Sequence, residues 1–105
     1  MTPVRIVFCT IDSADAARRL ARRLVEDRLA ACVNIIENVT SVYKWEGRIE
    51  EDAELLLVIK TRDGQLRELM ERIGELHPYD VPEILCWPVQ EGSRPYLDWV
   101  VAETG

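Results

Sequence analysis

The spacing of apolar residues divides the chain into strand-like and helix-like segments. Continuous runs of β-branched and apolar residues are typical of strands, whereas apolar residues three or four positions apart are typical of amphipathic helices. Strands are predicted at residues 4–10, 31–45, 49–61 and 83–90. Helices are predicted at about 13–29, from 63 to the residue before Pro78, and from about 93 onward.

The first predicted helix has an apolar stripe and an arginine-rich opposite face. Ala17, Leu20 and Leu24 recur at helical spacing and indicate the side that packs inward. Arginine pairs at positions 18–19 and 22–23 lie away from this stripe. They could form a basic binding patch, but acidic residues lie close to them in the sequence. We therefore interpret the arginines as an ordinary solvated face.

The order of these elements is β-α-β-β-α-β with one further helix at the end. This order is that of a ferredoxin-like α+β sandwich. Crossovers of the usual hand place the first and third strands in the centre of the sheet and both main helices on one of its faces. Pro88 cannot donate a backbone hydrogen bond, so the last strand is expected at an edge. Residues 1–105 are expected to form a single domain.

The hairpin formed by the second and third strands is too long for a domain of this size. Fifteen extended residues reach about 50 Å, whereas a chain of this length has a radius of gyration near 13 Å. The hairpin, with a turn at Glu46-Gly47, must bend or project beyond the core. A projecting apolar hairpin that carries Tyr43 and Trp45 needs a covering partner. The sequence therefore predicts a homo-oligomer built through this hairpin.

Composition and charge exclude several classes of protein. The 105 residues are 48% hydrophobic and carry a net charge of −6, which disfavours binding to nucleic acid. No apolar run approaches the 20 or so residues of a membrane span, and no signal peptide is recognisable. The three cysteines form no closely spaced pair, so we expect reduced thiols and a cytoplasmic location.

Cys9 and His77 are the candidate metal ligands. The topology directs the end of the first strand, the hairpin turn and the end of the second helix toward one end of the domain, which would place both residues beside Trp45 and Tyr79. A thiolate and an imidazole suit copper or zinc, with Glu46, water or another subunit as a third ligand. The alternative is structural: a buried core thiol and a histidine that interacts with the last carbonyls of a helix. No orienting group or oxyanion hole is identifiable, so an enzyme is not expected.

Four motifs resemble the CutA divalent-cation tolerance family. They are Ala-Ala-Cys-Val-Asn-Ile at residues 30–35, Tyr-Lys-Trp-Glu-Gly at 43–47, Leu-His-Pro-Tyr-Asp-Val-Pro-Glu-Ile at 76–84, and Tyr-Leu-Asp-Trp at 96–99. The resemblance extends over nearly the whole chain. It implies a ferredoxin-like protomer, a tight homotrimer with inter-subunit sheets built from the long hairpins, and a cytoplasmic role in tolerance to copper and other divalent cations.

The resemblance also implies a site. The family's metal ligands correspond to Cys9 and His77, while Leu76 stands where bacterial members have a first histidine. CutA trimers are also similar to PII signalling proteins, which hold small anionic effectors between subunits. The corresponding cleft would be lined by Thr10, Trp45, Lys60 and Tyr79. In one protomer, Lys60 is expected at the opposite end of the sheet. A trimeric scaffold without a small ligand is the third possibility.

Overall fold

The computed structural model describes residues 1–105 and contains four strands and three α-helices. In chain order they are β1 (Val4–Ile11), α1 (Ala14–Glu26), β2 (Cys32–Trp45), β3 (Arg48–Arg62), α2 (Leu66–Leu76), β4 (Leu85–Pro88) and α3 (Arg94–Ala102). A single 3₁₀ turn, Asp63–Gln65, precedes α2. The predicted order of elements and the ferredoxin-like fold are confirmed.

Helix α1 and strand β4 are shorter than predicted, and α2 begins at Leu66, after the 3₁₀ turn, rather than at residue 63. Helix α1 ends at Glu26, three residues earlier than expected, and Arg28 adopts the left-handed region at φ 59°. A non-glycine residue with that φ cannot continue a right-handed helix. Strand β4 covers only Leu85–Pro88 of the predicted 83–90, because its pairing with β1 runs only from Phe8 to Arg5.

The sheet has the strand order β2-β3-β1-β4, and each neighbouring pair is antiparallel. Strands β1 and β3 are central, with Val7 opposite Ile59 and Cys9 opposite Leu57. Pro88 lies on the edge strand, as its missing N–H requires. The predicted strand arrangement is confirmed.

Helices α1 and α2 pack on one face of this sheet and form the main core with it. Side chains alternate between the two faces of a strand, so Val7, Cys9 and Leu57 point to the helices and are fully buried there. Leu24 of α1 and Ile73 of α2 belong to the same core cluster. None of the helices combines the length and the apolar character needed to cross a lipid bilayer.

The other face of the sheet, which we call the open face, is covered at one end only. There, Val100 of α3 packs on Val4 and Ala31 in a second, smaller cluster. Further along this face the ring of Phe8 contacts the ring of Trp87, with centroids 4.4 Å apart. Trp87 and Leu85 are nevertheless exposed in a single chain. A large apolar area of the sheet is therefore in contact with solvent.

Strands β2 and β3 form a hairpin that extends past the rest of the sheet. The last residue of β1, Ile11, pairs with Leu55, so the seven residues of β3 from Arg48 onward extend about 23 Å beyond it. The turn residues Glu46 and Gly47 both have positive φ, at 49° and 80°, as a tight two-residue hairpin turn requires. The principal extents of the protein, 45 × 25 × 23 Å, reflect this projecting arm.

Candidate functional site

Cys9 lies near the end of β1 and points into the core. Its side chain has no exposed area, and its Sγ donates to the carbonyl oxygen of Thr10 at 3.7 Å. Burial, followed by the negative charges of Glu83 and Glu54, raises the pKa of the thiol from 9.0 to about 12. Cys9 is therefore a neutral thiol at physiological pH, whereas a metal ligand needs the thiolate.

His77 is the first residue after α2, and its ring is fully engaged in hydrogen bonds. It has the extended backbone typical of a residue before proline, at φ −77° and ψ 140°. Nε2 lies 2.8 Å from the carbonyl oxygen of Thr10 and donates to it, because a carbonyl only accepts. Nδ1 accepts from the backbone N–H of Tyr79 at 3.1 Å. The ring is therefore the neutral tautomer with its proton on Nε2.

Tyr79 connects this histidine to the hairpin. Its ring stands edge-on to the ring of His77, with centroids 4.6 Å apart. Its hydroxyl donates to Oε2 of Glu54 on β3 at 2.7 Å. Burial and then the hydrogen bond to Glu54 raise the pKa of the hydroxyl, so it remains a donor at any physiological pH. A continuous series of contacts thus joins the end of β1, His77, Tyr79 and the base of the hairpin.

These residues do not fit a metal ion as they are arranged. His77 has no free nitrogen lone pair, and Cys9 carries its proton. The chain contains no group of three or more histidine, cysteine or acidic side chains placed to hold a metal ion. A cation could bind Cys9 and His77 only after the thiol is deprotonated and at least one hydrogen bond of the imidazole is broken.

Trp45 and Glu46 are not beside Cys9 and His77 in one chain, so the predicted convergence was only partly right. The turn lies on the same side of the domain as the end of β1 but about 23 Å beyond it. Trp45 is 59% exposed at the tip. The sequence gives the direction of each strand, but the distance depends on how far the hairpin extends past β1. Glu46 is therefore not a third ligand within the same chain.

Lys60 lies away from the candidate site, as expected. It pairs with Ile6 on β1 and Cys32 on β2, and its ammonium donates to the side-chain oxygen of Asn34. Thr10 pairs with Leu56, four residues from Lys60, which corresponds to about 13 Å along the strand. Within one protomer, the four predicted cleft residues are therefore spread along the sheet and the hairpin.

Two carboxylates of the hairpin were missed as functional candidates. Glu54 accepts from Tyr79, and Asp52 accepts from the hydroxyl of Tyr43. The hydrogen bond to Asp52 raises the pKa of Tyr43 to about 12. The sequence analysis identified no partner for either carboxylate, because the pairings depend on the register of the two strands and on the position of residues 77–79.

Comparison with known proteins shows the family. The profile described as CutA1 divalent ion tolerance protein matches residues 5–103. This chain belongs to the CutA1 family. The divalent-cation tolerance protein CutA of Thermus thermophilus is 51% identical over 100 residues, which cover 95% of this chain and 97% of the relative. Human Protein CutA is 45% identical over 97 residues, or 92% of this chain.

Solved CutA1 structures have the same fold. The protein of Thermus thermophilus superposes with a TM-score of 0.95 at 50% identity, covering 97% of this chain and 99% of that one. CutA of Xylella fastidiosa superposes with a TM-score of 0.97 at 36% identity, covering 99% and 100%. The chain spans only about half the length of the mouse, human and Arabidopsis members of the CutA1 family.

Proposed function

We propose that this chain acts in tolerance to divalent cations as a cytoplasmic homotrimer that binds a cation such as copper in or near the clefts between subunits. We propose no enzymatic activity. The observation that carries the proposal is the projecting hairpin, whose apolar side chains have no partner in a single chain. Family membership supports the link to divalent cations.

The hairpin has the surface of an interface. Val42 and Ile49 are 63% and 71% exposed, and Trp45 is exposed at the tip. Burial of apolar surface contributes about 25 cal/mol per Å², so assembly gains free energy that a monomer cannot. The outer edges of β2 and β4 also offer unpaired backbone groups to neighbouring strands. The exposed open face of the sheet adds further apolar area to such an assembly.

A cation is attracted by the charge of the protein. The net charge is −6, and β3 carries Glu50, Glu51, Asp52 and Glu54 on the arm that would lie between subunits. Negative clefts of this kind raise the local concentration of cations. Because Cys9 and His77 are engaged elsewhere, we place the cation in the clefts between subunits rather than on that pair.

The proposed trimer can be tested by introducing negatively charged side chains into the hairpin of β2 and β3. Val42→Glu combined with Ile49→Glu changes two side chains that are exposed in the protomer, so each chain should still fold. We expect sedimentation equilibrium at micromolar concentration to give a trimer for the wild type and a monomer for this variant. Val81→Glu is the matched control, because Val81 is 81% exposed but lies outside the hairpin; it should remain trimeric. A monomeric wild type would overturn the trimer.

The same variants test the place of the cation. Calorimetric titration with Cu²⁺ should give tight binding for the wild type and for Val81→Glu, and a loss of at least tenfold in affinity for the monomeric variant. Equal affinity in monomer and trimer would show that the cation is not bound between subunits. No binding by a trimeric wild type would leave the fold and assembly in place but exclude direct copper binding.

The cytoplasmic location is supported by the thiol chemistry of the chain. All three cysteines are free, as expected in a reducing compartment. One solved relative, from Archaeoglobus fulgidus, is described as a periplasmic protein, so the compartment needs its own test. Cell fractionation should find this chain with cytoplasmic markers, and recovery with periplasmic or extracellular markers would contradict the proposal.

A further inference from the structure

A hollow of about 410 Å³ lies between α1 and the C-terminal end of α2, and the proposed function does not use it. We call it the α1–α2 hollow. Its apolar lining consists of Ala16 and Leu20 on α1 and Leu76 on α2. Leu20 is almost fully buried, whereas Leu76 is 41% exposed. The hollow therefore has room for one small molecule that carries an apolar side chain.

The remaining lining residues are charged, and they carry both signs. They are Arg19, Arg22, Arg23 and Glu26, all on α1. Arg23 forms an ion pair with Asp27 at 2.9 Å. The other three form no ion pair within the chain, although Arg22 and Glu26 are only one helical turn apart. Unpaired positive and negative charges thus lie together beside an apolar surface.

The spacing of these charges selects the kind of ligand that fits. Arg19 and Arg22 are three residues apart and Arg22 and Glu26 four, so their side chains are neighbours on the helix surface. Guanidinium groups bind a carboxylate in a planar, two-pronged geometry, and a glutamate carboxylate accepts hydrogen bonds from an ammonium group. A purely anionic ligand would be repelled by Glu26, and a purely cationic one by the arginines. A ligand with both charges close together satisfies all three side chains.

One wall of the hollow is fixed by a network of ion pairs between the two helices. Asp27, the residue after α1, pairs both with Arg23 and with Arg72 of α2. This network connects the C-terminal end of α1 to α2 and restrains Arg23, which lines the hollow. A wall that is already ordered lowers the entropic cost of binding a small ligand.

We propose that the α1–α2 hollow binds a free α-amino acid with a large apolar side chain, such as leucine, methionine or phenylalanine. The carboxylate of the ligand lies on Arg19 and Arg22 and its ammonium group on Glu26. Its side chain lies on Leu20 and Leu76. The hollow is on the helix side of the sheet, away from the hairpin and the open face, so the inference does not depend on the proposed trimer or on cation binding.

Equilibrium dialysis of the full chain against labelled amino acids tests the ligand class. We expect at least one of L-leucine, L-methionine and L-phenylalanine to bind with a dissociation constant below about 1 mM. Three related compounds each lack one of the recognised groups. N-acetyl-leucine has no ammonium group, leucinamide has no carboxylate, and glycine has no apolar side chain. Each should bind at least tenfold more weakly than the best of the three amino acids.

Variants of the protein locate the site. Arg19→Gln combined with Arg22→Gln should reduce the affinity at least tenfold, and so should Glu26→Gln alone. All three side chains are exposed, so these variants should fold like the wild type. Leu76→Ser, which removes apolar contact from the hollow, should reduce the affinity severalfold.

Arg67→Gln and Glu71→Gln are the matched controls. Arg67 and Glu71 are an exposed arginine and an exposed glutamate on α2, and neither lines the hollow. Each control should leave the affinity unchanged.

Three results would overturn the proposal. One is that none of the three amino acids binds at concentrations up to about 10 mM. Another is that binding is unaffected by the double arginine variant or by Glu26→Gln, which would place the ligand elsewhere on the protein. The third is that N-acetyl-leucine binds as tightly as leucine, which would indicate a site for simple carboxylates rather than for amino acids.

Discussion

The thiol of Cys9 is held in its protonated form by its position on β1. Its raised pKa means that the folded state retains the proton more tightly than the unfolded state does. The corresponding stabilisation is fully present below about pH 9 and is lost as the pH rises from 9.0 toward about 12. We therefore expect the stability of the wild type relative to Cys9→Ala, measured by chemical unfolding, to decline across that range. A difference that is independent of pH would contradict a buried neutral thiol.

The same property predicts low reactivity. A variant with Cys32→Ser and Cys86→Ser keeps Cys9 as its only thiol. At pH 8 it should react with an aromatic disulfide reagent at least a hundredfold more slowly when folded than when unfolded in guanidinium, because only the thiolate attacks. Cys86, which is exposed, provides the control in a variant that retains it alone. Rapid reaction of folded Cys9 would show that the thiolate is accessible and would restore it as a candidate metal ligand.

His77 contributes to stability through two hydrogen bonds, which can be separated by substitution. His77→Ala leaves the carbonyl of Thr10 with only the weak thiol donor of Cys9 and removes the imidazole acceptor of the Tyr79 amide. It should cost about 1–3 kcal/mol in unfolding free energy. His77→Gln offers an amide donor toward Thr10, and His77→Asn an acceptor toward the Tyr79 amide. Each should recover part of the loss in thermal unfolding. If all three variants are as stable as the wild type but lose Cu²⁺ binding, His77 is a metal ligand and not a structural group.

At the scale of elements, Tyr79 braces the hairpin against the domain. Tyr79→Phe removes the hydrogen bond to Glu54 and should destabilise the base of the hairpin by about 1 kcal/mol. Hydrogen exchange of the β3 amides around residue 54 should become severalfold faster. Tyr43→Phe is the matched control, because its hydroxyl binds Asp52 within the hairpin and makes no connection to the domain. If the β3 amides around residue 54 exchange equally fast in both variants, the hydrogen bond of Tyr79 does not stabilise the base of the hairpin.

For the molecule as a whole, the fold could be predicted because the sequence pattern that determines it is local. Seven periodic segments, an edge proline and the usual handedness of crossovers suffice to define the topology. The candidate site around Cys9 and His77 could not be predicted in the same detail. The state of Cys9 depends on burial among residues from several elements, and the hydrogen bonds of His77 depend on how the segment after α2 returns to β1. The distance of Trp45 from that site depends on the pairing of Ile11 with Leu55.

The irregularity in β2 determines which residues share a face of the arm. Between Ile36 and Val39, β2 advances three residues while β3 advances two, from Leu56 to Glu54, and Asn38 takes a positive φ of 61°. Because side chains alternate strictly between the two sides of a strand, one additional residue reverses the side to which every later side chain of β2 points. Tyr43 therefore points to the same side as Glu50 and Asp52, although Ile35, eight positions earlier, points to the core. Deletion of a single residue here would leave the pairing of β1 with β3 unchanged but would turn Tyr43 to the opposite side of the arm. A one-residue change in sequence is therefore enough to change which side chains the arm presents to a neighbouring molecule.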